Sequence, residues 1–348
     1  MKPIYFITSL LFITFSSLCC ALDTIPEDLS KWEEKGTILE SDPNLFWENK
    51  LKIGIAGSAK VGTTYYLFYL AGFNGQWKEH GGSNHQSLGV ATSQDGITFK
   101  KHTNNPVLTP HVFVPVSAEE EGIRTAFVQY VPSEKQFYGF FGVESPGGKN
   151  TCPFRDGALG WISWFCKGNI EVDSAVYLAT SFDGLNWDVK GAVDGAYRKK
   201  GHEVYASGWV HDGTKFHLYI TTAEGGLNKK ASSGDKPLNL KELGEAKELQ
   251  WGWSGINTFL HDDNNTVTLI YDPKGGKHPG TENEHLYFAT TTLDDMTVIQ
   301  NERAIPGTKG VQSKHAILKD DHEWKWYYIL EDDQNRHQIK LRVHTLTP

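Results

Sequence analysis

Glu203 is the carboxylate whose sequence neighbours best suit it for proton transfer. It stands in Gly201-His202-Glu203-Val204-Tyr205-Ala206-Ser207, where a polar run passes into an apolar strand-like one. A carboxyl group next to an apolar strand loses part of its hydration, which raises its pKa. The pattern therefore predicts a general acid at Glu203, and the alternative is an exposed loop carboxylate with no chemical role.

Aromatic and polar residues near two further predicted strands could bind a flat ligand with hydroxyl groups. Trp251 and Trp253 flank one glycine, and Asn257 follows them closely. Aromatic rings stack on sugar rings, while amide and imidazole groups hold hydroxyls, so these residues and His315 are predicted to bind ligand. The two tryptophans could instead pack between sheets, and His315 could be a hydrogen-bonded strand residue.

Signals for metals and cofactors are weak. The sequence has neither a His-x-x-x-His nor a Cys-x-x-Cys pattern, and no glycine-rich phosphate loop leads from a strand into a helix. No cofactor is therefore predicted. The 262–265 segment, Asp-Asp-Asn-Asn, is rich in oxygen ligands suited to calcium but reads first as a hairpin turn. Asn264-Asn265-Thr266 is also a sequon for N-glycosylation in a eukaryotic source.

A repeat indicates the elements that must position these residues. The sequence ATSQDGITF at 91–99 recurs as ATSFDGLNW at 179–187, with weaker copies at 231–240 and 289–298 and a partial one at 28–33. Each strong copy ends an alternating apolar run, turns at Asp-Gly and restarts with an apolar residue. Asp and Gly tolerate the positive φ of hairpin turns, so each copy predicts strand, turn and strand in a repeat architecture.

The hairpins are predicted to group into five four-stranded sheets. The predicted strands are 52–61, 64–71, 87–93 and 97–106 in the first sheet; 124–131, 137–143, 174–181 and 185–193 in the second; 204–211, 216–222, a compressed 227–232 and 238–243 in the third; 254–261, 267–272, 285–291 and 296–305 in the fourth; and 311–318, 324–331, 338–343 and the N-terminal 29–39 in the fifth. Pairing the first strand with the last sheet closes a ring and removes two exposed edges. The prediction is an all-β, five-bladed β-propeller as one domain over residues 22–348, and the alternative is a double-sheet sandwich.

Composition and the N-terminus narrow the class of protein. The chain has 348 residues, 12% of them aromatic, and a net charge of −8 without a dense Lys/Arg run, so nucleic acid is not a predicted partner. Residues 1–21 resemble an export signal, with Lys2, an apolar 4–18 run and a cut after Ala21, which predicts a secreted or periplasmic protein. A lipoprotein signal and an uncleaved anchor are the alternatives, although the apolar run is too short for a confident membrane span.

After removal of this signal, Cys152 and Cys166 are the remaining cysteines. An even pair in an exported protein predicts one disulfide, which would contribute about 3 kcal/mol if unstrained. Two free thiols are the alternative.

The 91–99 repeat followed by Asn105-Pro106-Val107-Leu108 resembles the signature of the five-bladed propeller glycosidases, the arabinanase, xylosidase and invertase-like superfamily of glycoside hydrolase families 43 and 32. These motifs build blades and do not themselves catalyse, and as architecture the resemblance covers nearly the whole mature chain. It implies a secreted glycoside hydrolase with an oligo- or polysaccharide substrate. The alternatives are a carbohydrate-binding propeller without catalysis and a protein-interaction propeller.

The superfamily places a base or nucleophile Asp near the start of blade one, a pKa-tuning acid in blade two and a general-acid Glu in blade three. The resemblance assigns the first role to Asp42 and the third to Glu203. Asp42 could instead be a turn residue before Pro43, and it lies upstream of the expected place if 52–61 is the inner strand. Blade two departs from the pattern.

In blade two, related propellers often have Arg-Asp-Pro where this chain has Arg124-Thr125-Ala126. Thr125 cannot hold the charge of the missing Asp. Glu121 or Arg124 would then assist catalysis, Arg124 by binding a sugar hydroxyl or carboxylate. A salt bridge at a strand edge is the alternative for Arg124.

Overall fold

The computed structural model describes residues 25–26, 28–48, 54–72, 86–113, 122–146, 172–194, 204–222, 228–249, 255–271, 285–308, 311–331 and 337–346. These residues form β-strands and a few three-residue 3-10 helices. No helix among them is both long enough and apolar enough to cross a membrane. The predicted signal at 1–21 and the predicted disulfide between Cys152 and Cys166 lie outside the described residues.

Each of the five sheets has four strands in the described part of the chain. The N-terminal strand is β1 (Glu33–Glu40). Blade one has β2 (Gly54–Val61), β3 (Thr64–Gly72), β4 (Gln86–Ser93) and β5 (Lys100–Lys101). Blade two has β6 (Gly122–Val131), β7 (Gln136–Pro146), β8 (Val172–Ser181) and β9 (Asp188–Ala192). Blade three has β10 (Val204–His211), β11 (Phe216–Thr222), β12 (Asn228–Lys236) and β13 (Asn239–Glu245). Blade four has β14 (Asn257–Leu260), β15 (Thr266–Tyr271), β16 (Tyr287–Thr292) and β17 (Asp295–Ala304). Blade five has β18 (Gln312–Lys319), β19 (Glu323–Glu331) and β20 (His337–Thr345).

The sheets form a closed ring. Strands within each blade follow one another in sequence and pair antiparallel, and β1 completes blade five by pairing with β20, from Glu33 opposite Val343 to Glu40 opposite Gln338. The first strands of the blades, β2, β6, β10, β14 and β18, are neighbours around the centre. The predicted five-bladed propeller, closed by the N-terminal strand, is confirmed, and the sandwich alternative is wrong.

The repeated motif builds the turn after the third strand of blades one and two. In blade one, the Asp95 carboxylate accepts the backbone N–H groups of Ile97 at 2.8 Å and Thr98 at 2.7 Å, and the Ser93 hydroxyl donates to it at 2.7 Å. These bonds lower the pKa of Asp95. Gly96 has φ +70°, and a Cβ there would lie 2.5 Å from Cε of Lys325 in blade five. Glycine is thus needed both for the turn and for the contact between blades.

Asp183 makes the same bonds in blade two, accepting from the backbone N–H groups of Leu185 and Asn186 at 2.8 Å each. Partial burial raises the pKa of Asp183, but these hydrogen bonds outweigh it and lower the pKa to about 2. The motif's aspartates are therefore structural acceptors in turns, which agrees with the prediction that the motif specifies the blades.

Apolar layers between neighbouring blades make up the core. Separate clusters lie between blades one and two, two and three, three and four, four and five, and five and one. Burial of apolar area is the main stabilising term of folding, and many aromatic residues of the sequence are buried in these layers. Between blades four and five, residues from the N-terminus, Ile25, Leu29 and Trp32, join Phe259 and Trp324, whose rings pack edge to face at 4.9 Å.

Two local predictions are wrong. Residues 28–33 form no hairpin: Leu29–Lys31 is a 3-10 helix whose cap, Asp28, accepts the backbone N–H of Ser30 at 3.2 Å, and β1 begins only at Glu33. The Asp28 carboxylate caps this short helix locally and does not shape a hairpin turn. The third strand of blade three is not compressed, since β12 spans Asn228–Lys236 and continues through the small, polar Ser232-Ser233-Gly234 run.

Candidate functional site at one end of the central channel

Four of the five inner strands have shifts in their pairing register with the second strand of the blade. The pairing register shifts between Ile55 and Gly57 in β2 and between Ile123 and Thr125 in β6. It also shifts within β10, after Ala206, and within β18, between Gln312 and Ala316. A bulge leaves residues out of the ladder and re-aims their side chains, which is why bulges are common beside active sites.

Arg124 is the bulged residue of β6. It is half-buried, and the register of β6 with β7 shifts between its two chain neighbours, Ile123 and Thr125. The strict alternation of side chains along β6 is therefore interrupted at the predicted ligand-binding arginine. Sequence periodicity could not show this, because a bulge depends on the partner strand.

Thr125 occupies the place of the expected blade-two acid and lies against blade three. It is buried, and its hydroxyl has no hydrogen-bond partner among the described residues. A Cβ added to Gly142 would lie 2.5 Å from Oγ1 of Thr125 and 3.1 Å from Cα of Tyr205. The substituted position is therefore adjacent to the start of β10, two residues beyond Glu203. A neutral hydroxyl stands where a charge was expected.

Glu203 and Glu121 themselves lie outside the described residues, as do Trp251 and Trp253. The residues that follow the two glutamates show which strands the glutamates connect to. Val204, which follows Glu203, begins β10 and is buried, and Gly122, which follows Glu121, begins β6. Because β6 and β10 are neighbours in the ring, both carboxylates are joined to adjacent inner strands.

The structure places Asn257 on the wall of two cavities but buries His315. Asn257 begins β14 and lines both cavities described here along the channel, a small one with Thr125 and a larger one farther along the inner strands. His315 is 1% exposed and packs edge to face on Trp326, with ring centroids 6.1 Å apart. Asn257 therefore lies on the channel wall, whereas the position of His315 is that of a packed strand histidine.

Asp42 follows β1, the outermost strand of blade five. Its Oδ1 accepts the backbone N–H of Asn44 at 2.8 Å and the Asn44 side-chain amide at 3.1 Å, as in a turn. The inner strand β2 begins only at Gly54, and Asp42 is not among the described residues that line the two cavities. The structure therefore shows Asp42 as an acceptor in a local turn.

Glu48 is a carboxylate that sequence reasoning missed. It ends the 3-10 helix Phe46–Glu48, its side chain is fully buried, and its Oε1 accepts from Nζ of Lys101 at 2.8 Å. Burial raises the pKa of Glu48 even though the Lys101 bond opposes this. Beside it, Trp47 stacks on Tyr69 with centroids 5.7 Å apart. A three-residue helix has no periodicity to detect, and its ion partner is far along the chain.

The larger cavity, about 410 Å³, is lined by the later residues of all five inner strands. Its cations already have acidic partners: Lys60 donates to Asp320 at 2.5 Å, and Lys319 donates to Asp262 at 3.1 Å. Burial raises the pKa of Asp320, but hydrogen bonds from Lys60 and Tyr65 lower it to about 2. The described wall of this cavity holds no pair of carboxylates for acid–base catalysis.

Among the described residues, no group of three or more His, Cys, Asp or Glu side chains could hold a metal ion. In the 262–265 turn, Oδ1 of Asp263 accepts the backbone N–H groups of Asn265 at 2.9 Å and Thr266 at 2.8 Å. The hydrogen bond from the Thr266 hydroxyl has the largest effect in lowering the pKa of Asp263, and these backbone bonds lower it further. The Asp263 carboxylate therefore serves as a structural acceptor in this turn.

No protein-family model matches the sequence, and no curated protein matches it. Solved structures do match. A glycosyl hydrolase from Bacteroides ovatus is 13% identical, with a TM-score of 0.54, over 91% of this chain and 96% of that one. A GH43 β-1,3-galactosidase solved with galactodeoxynojirimycin is 13% identical, with a TM-score of 0.51, over 86% of this chain and 98% of that one. A GH32 β-fructofuranosidase of Bombyx mori is 13% identical, with a TM-score of 0.57, over 91% of this chain and 63% of that one.

At these identities the likeness shows the fold alone. The chain has the architecture of five-bladed propeller glycoside hydrolases, so the resemblance drawn from the 91–99 repeat and Asn105-Pro106-Val107-Leu108 is confirmed as a resemblance in architecture.

Proposed function

We propose that this protein is a glycoside hydrolase that cleaves an oligo- or polysaccharide at the channel end where the inner strands begin. The supporting observation is the convergence there of neighbouring strand starts, with β10 following Glu203 directly and β6 containing the bulged Arg124. Propeller architecture shared with solved glycoside hydrolases adds weight to a carbohydrate substrate.

In this proposal Glu203 protonates the leaving glycosidic oxygen. A second carboxylate, Asp42, acts as base on water or as nucleophile on the anomeric carbon, and the separation of the two decides between inversion and retention. Arg124 binds a hydroxyl or carboxylate of the sugar, Glu121 assists, and Trp251 and Trp253 stack on the sugar ring.

A carbohydrate-binding propeller without hydrolysis is the second candidate, and two observations favour it. Thr125 places a buried, neutral hydroxyl where related propellers have an acid. The Asp42 carboxylate accepts two hydrogen bonds from Asn44 in a local turn. Sugar binding requires neither an acid at position 125 nor a free Asp42 carboxylate. These two features therefore argue more strongly against hydrolysis than against sugar binding.

The first prediction separates the two candidates. Glu203→Gln removes the proton donor while keeping the side-chain shape, and turnover should fall by about 10²–10⁴-fold with sugar binding retained. Reducing sugar released from a panel of plant, algal and microbial glycans measures turnover, and calorimetry measures binding.

Glu245→Gln is the matched control, since Glu245 is an exposed carboxylate on the outer strand β13 and its loss should leave turnover unchanged. Binding without turnover in the unmodified protein would establish the binding module. Full turnover in Glu203→Gln would remove Glu203 from the chemistry.

We also propose export, with cleavage after Ala21 and a disulfide between Cys152 and Cys166. These follow from the apolar leader and the even cysteine pair in the sequence. N-terminal sequencing of the secreted protein, and its intact mass with and without reductant, test both.

A further inference from the structure

The hairpin between β14 and β15 presents an asparagine at its tip. Asn264 is exposed and has φ +54°, a left-handed conformation that asparagine tolerates better than most residues. Its backbone N–H donates to the carbonyl of His261 at 3.0 Å. Among the described residues, its side chain makes no hydrogen bond, so the amide nitrogen faces solvent.

The neighbours of Asn264 hold the turn without its side chain. Asp263 accepts the backbone N–H groups of Asn265 and Thr266, and its Oδ2 accepts the Thr266 hydroxyl at 2.6 Å. The Asn265 amide donates to Asp294 at 3.1 Å. A group attached to Asn264 would therefore disturb none of the bonds that define the hairpin.

Asn264-Asn265-Thr266 is the single Asn-x-Ser/Thr sequence of the chain, and its middle residue is not proline. We propose that Asn264 is an N-glycosylation site, modified as the exported chain passes through a eukaryotic secretory compartment. The co-reactant is a lipid-linked oligosaccharide. The amide nitrogen of Asn264 attacks its anomeric carbon, a C–N bond forms as the C–O bond to the lipid pyrophosphate breaks, and the amide proton passes to a base of the transferase.

The position of the hairpin separates this site from the proposed cleavage site. Asp262, in the same turn, pairs with Lys319, which lines the larger cavity at the later ends of the inner strands. The strand starts that connect to Glu203 and contain Arg124 lie at the other end of the channel. A glycan on Asn264 therefore leaves the proposed substrate entrance open, and the inference holds whether or not the protein is a hydrolase.

The test uses the full chain with its own leader, secreted from insect cells. Treatment with peptide N-glycosidase F in heavy-oxygen water should remove one glycan mass and leave labelled aspartate at position 264, as read by peptide mass spectrometry. Asn264→Asp should remove the glycan completely; aspartate has the same shape and also tolerates the left-handed turn.

Asn265→Gln is the matched control, because it alters the adjacent amide but keeps Asn264 and Thr266, and it should retain the glycan. Thr266→Val gives a second route to loss of the glycan with Asn264 intact. The proposal is overturned by secreted protein without a glycan, by glycan that persists in Asn264→Asp, or by retention of the chain in the cytosol. Carbohydrate turnover, if present, should be the same before and after glycan removal.

Discussion

Glu48 is a fully buried carboxylate at the junction between the last and first blades, and Lys101 is its charged partner at 2.8 Å. Its second oxygen, Oε2, has no hydrogen-bond partner among the described residues. A buried pair stabilises little by itself, because the desolvation of both charges offsets their attraction. Removing one partner is costly, since it leaves an uncompensated charge.

Lys101→Met should therefore lower the free energy of unfolding at pH 7 by about 3–5 kcal/mol. Lys100→Met is the matched control: Lys100 is the exposed neighbour on β5, and its replacement should change the free energy by no more than about 0.5 kcal/mol. Urea unfolding followed by tryptophan fluorescence measures both. Equal stability of the two variants would show that Glu48 is neutral in the native protein.

The same pair predicts the sign of a pH dependence. Burial raises the pKa of Glu48 in the folded protein, so its contribution to stability is greatest below the unfolded pKa and is lost as pH rises through the folded pKa. Lys101→Met removes the bond that opposes this rise. The stability deficit of Lys101→Met relative to Lys100→Met should therefore shrink as pH falls from about 7 to about 5. A deficit that is constant over this range would contradict the assignment.

At the scale of the elements, the inner strand β10 lies so close to the segment before β14 that no side chain would fit between them. Glycine, which has no side chain, allows this contact. Gly208 lies in the bulge of β10 with φ +129°, and a Cβ there would lie 2.0 Å from the carbonyl oxygen of Ile256 just before β14. Ser207 accepts the backbone N–H of Ile256 through its own carbonyl. The bulge thus joins blade three to blade four by backbone contact.

Gly208→Ala should cost about 3 kcal/mol or more, because it adds an overpacked contact of about 1–3 kcal/mol to about 1–2 kcal/mol of strain for alanine at positive φ. Gly213→Ala isolates the strain, since Gly213 has φ +96° and nothing within 4 Å of an added Cβ. It should cost about 1–2 kcal/mol. Thermal unfolding of the two variants gives the difference, and equal losses would mean that β10 and β14 can separate at no cost. Because β10 follows Glu203, Gly208→Ala should also reduce any turnover.

At the scale of the whole molecule, the ring could be predicted because its turns repeat and its last sheet lacked a strand. Asp95 and Asp183 mark equivalent turns, and such local chemistry is legible in the sequence. The bulge at Arg124 and the pair of Glu48 with Lys101 could not be predicted, since each depends on a partner that is distant along the chain. Asp42 shows the opposite limit: a family resemblance suggested it as the base or nucleophile, but the structure shows it as the acceptor of a local turn and not among the residues that line the larger cavity.

The N-terminal segment contributes to ring closure in two ways. The strand β1 covers the edge of β20, and Leu29 and Trp32 fill the apolar layer between blades four and five. A mature chain that begins at Asp42 would expose an unpaired strand edge and leave that layer incompletely filled. It should unfold at a lower temperature than the full chain and self-associate, as measured by calorimetry and size-exclusion chromatography.

A peptide of residues 23–41 added in trans should reverse both effects. Binding to the folded ring alone stabilises it by RT ln(1 + [peptide]/Kd), so the melting temperature should keep rising with peptide concentration, at about 2.7 kcal/mol of stabilisation for a hundredfold excess over Kd. A peptide with Leu29→Asp and Trp32→Asp keeps the strand but loses the buried contacts, and it should rescue poorly. If the truncated chain melted like the full one, closure would owe nothing to β1, and the propeller would be held by the contacts of β18 with β2 and β14.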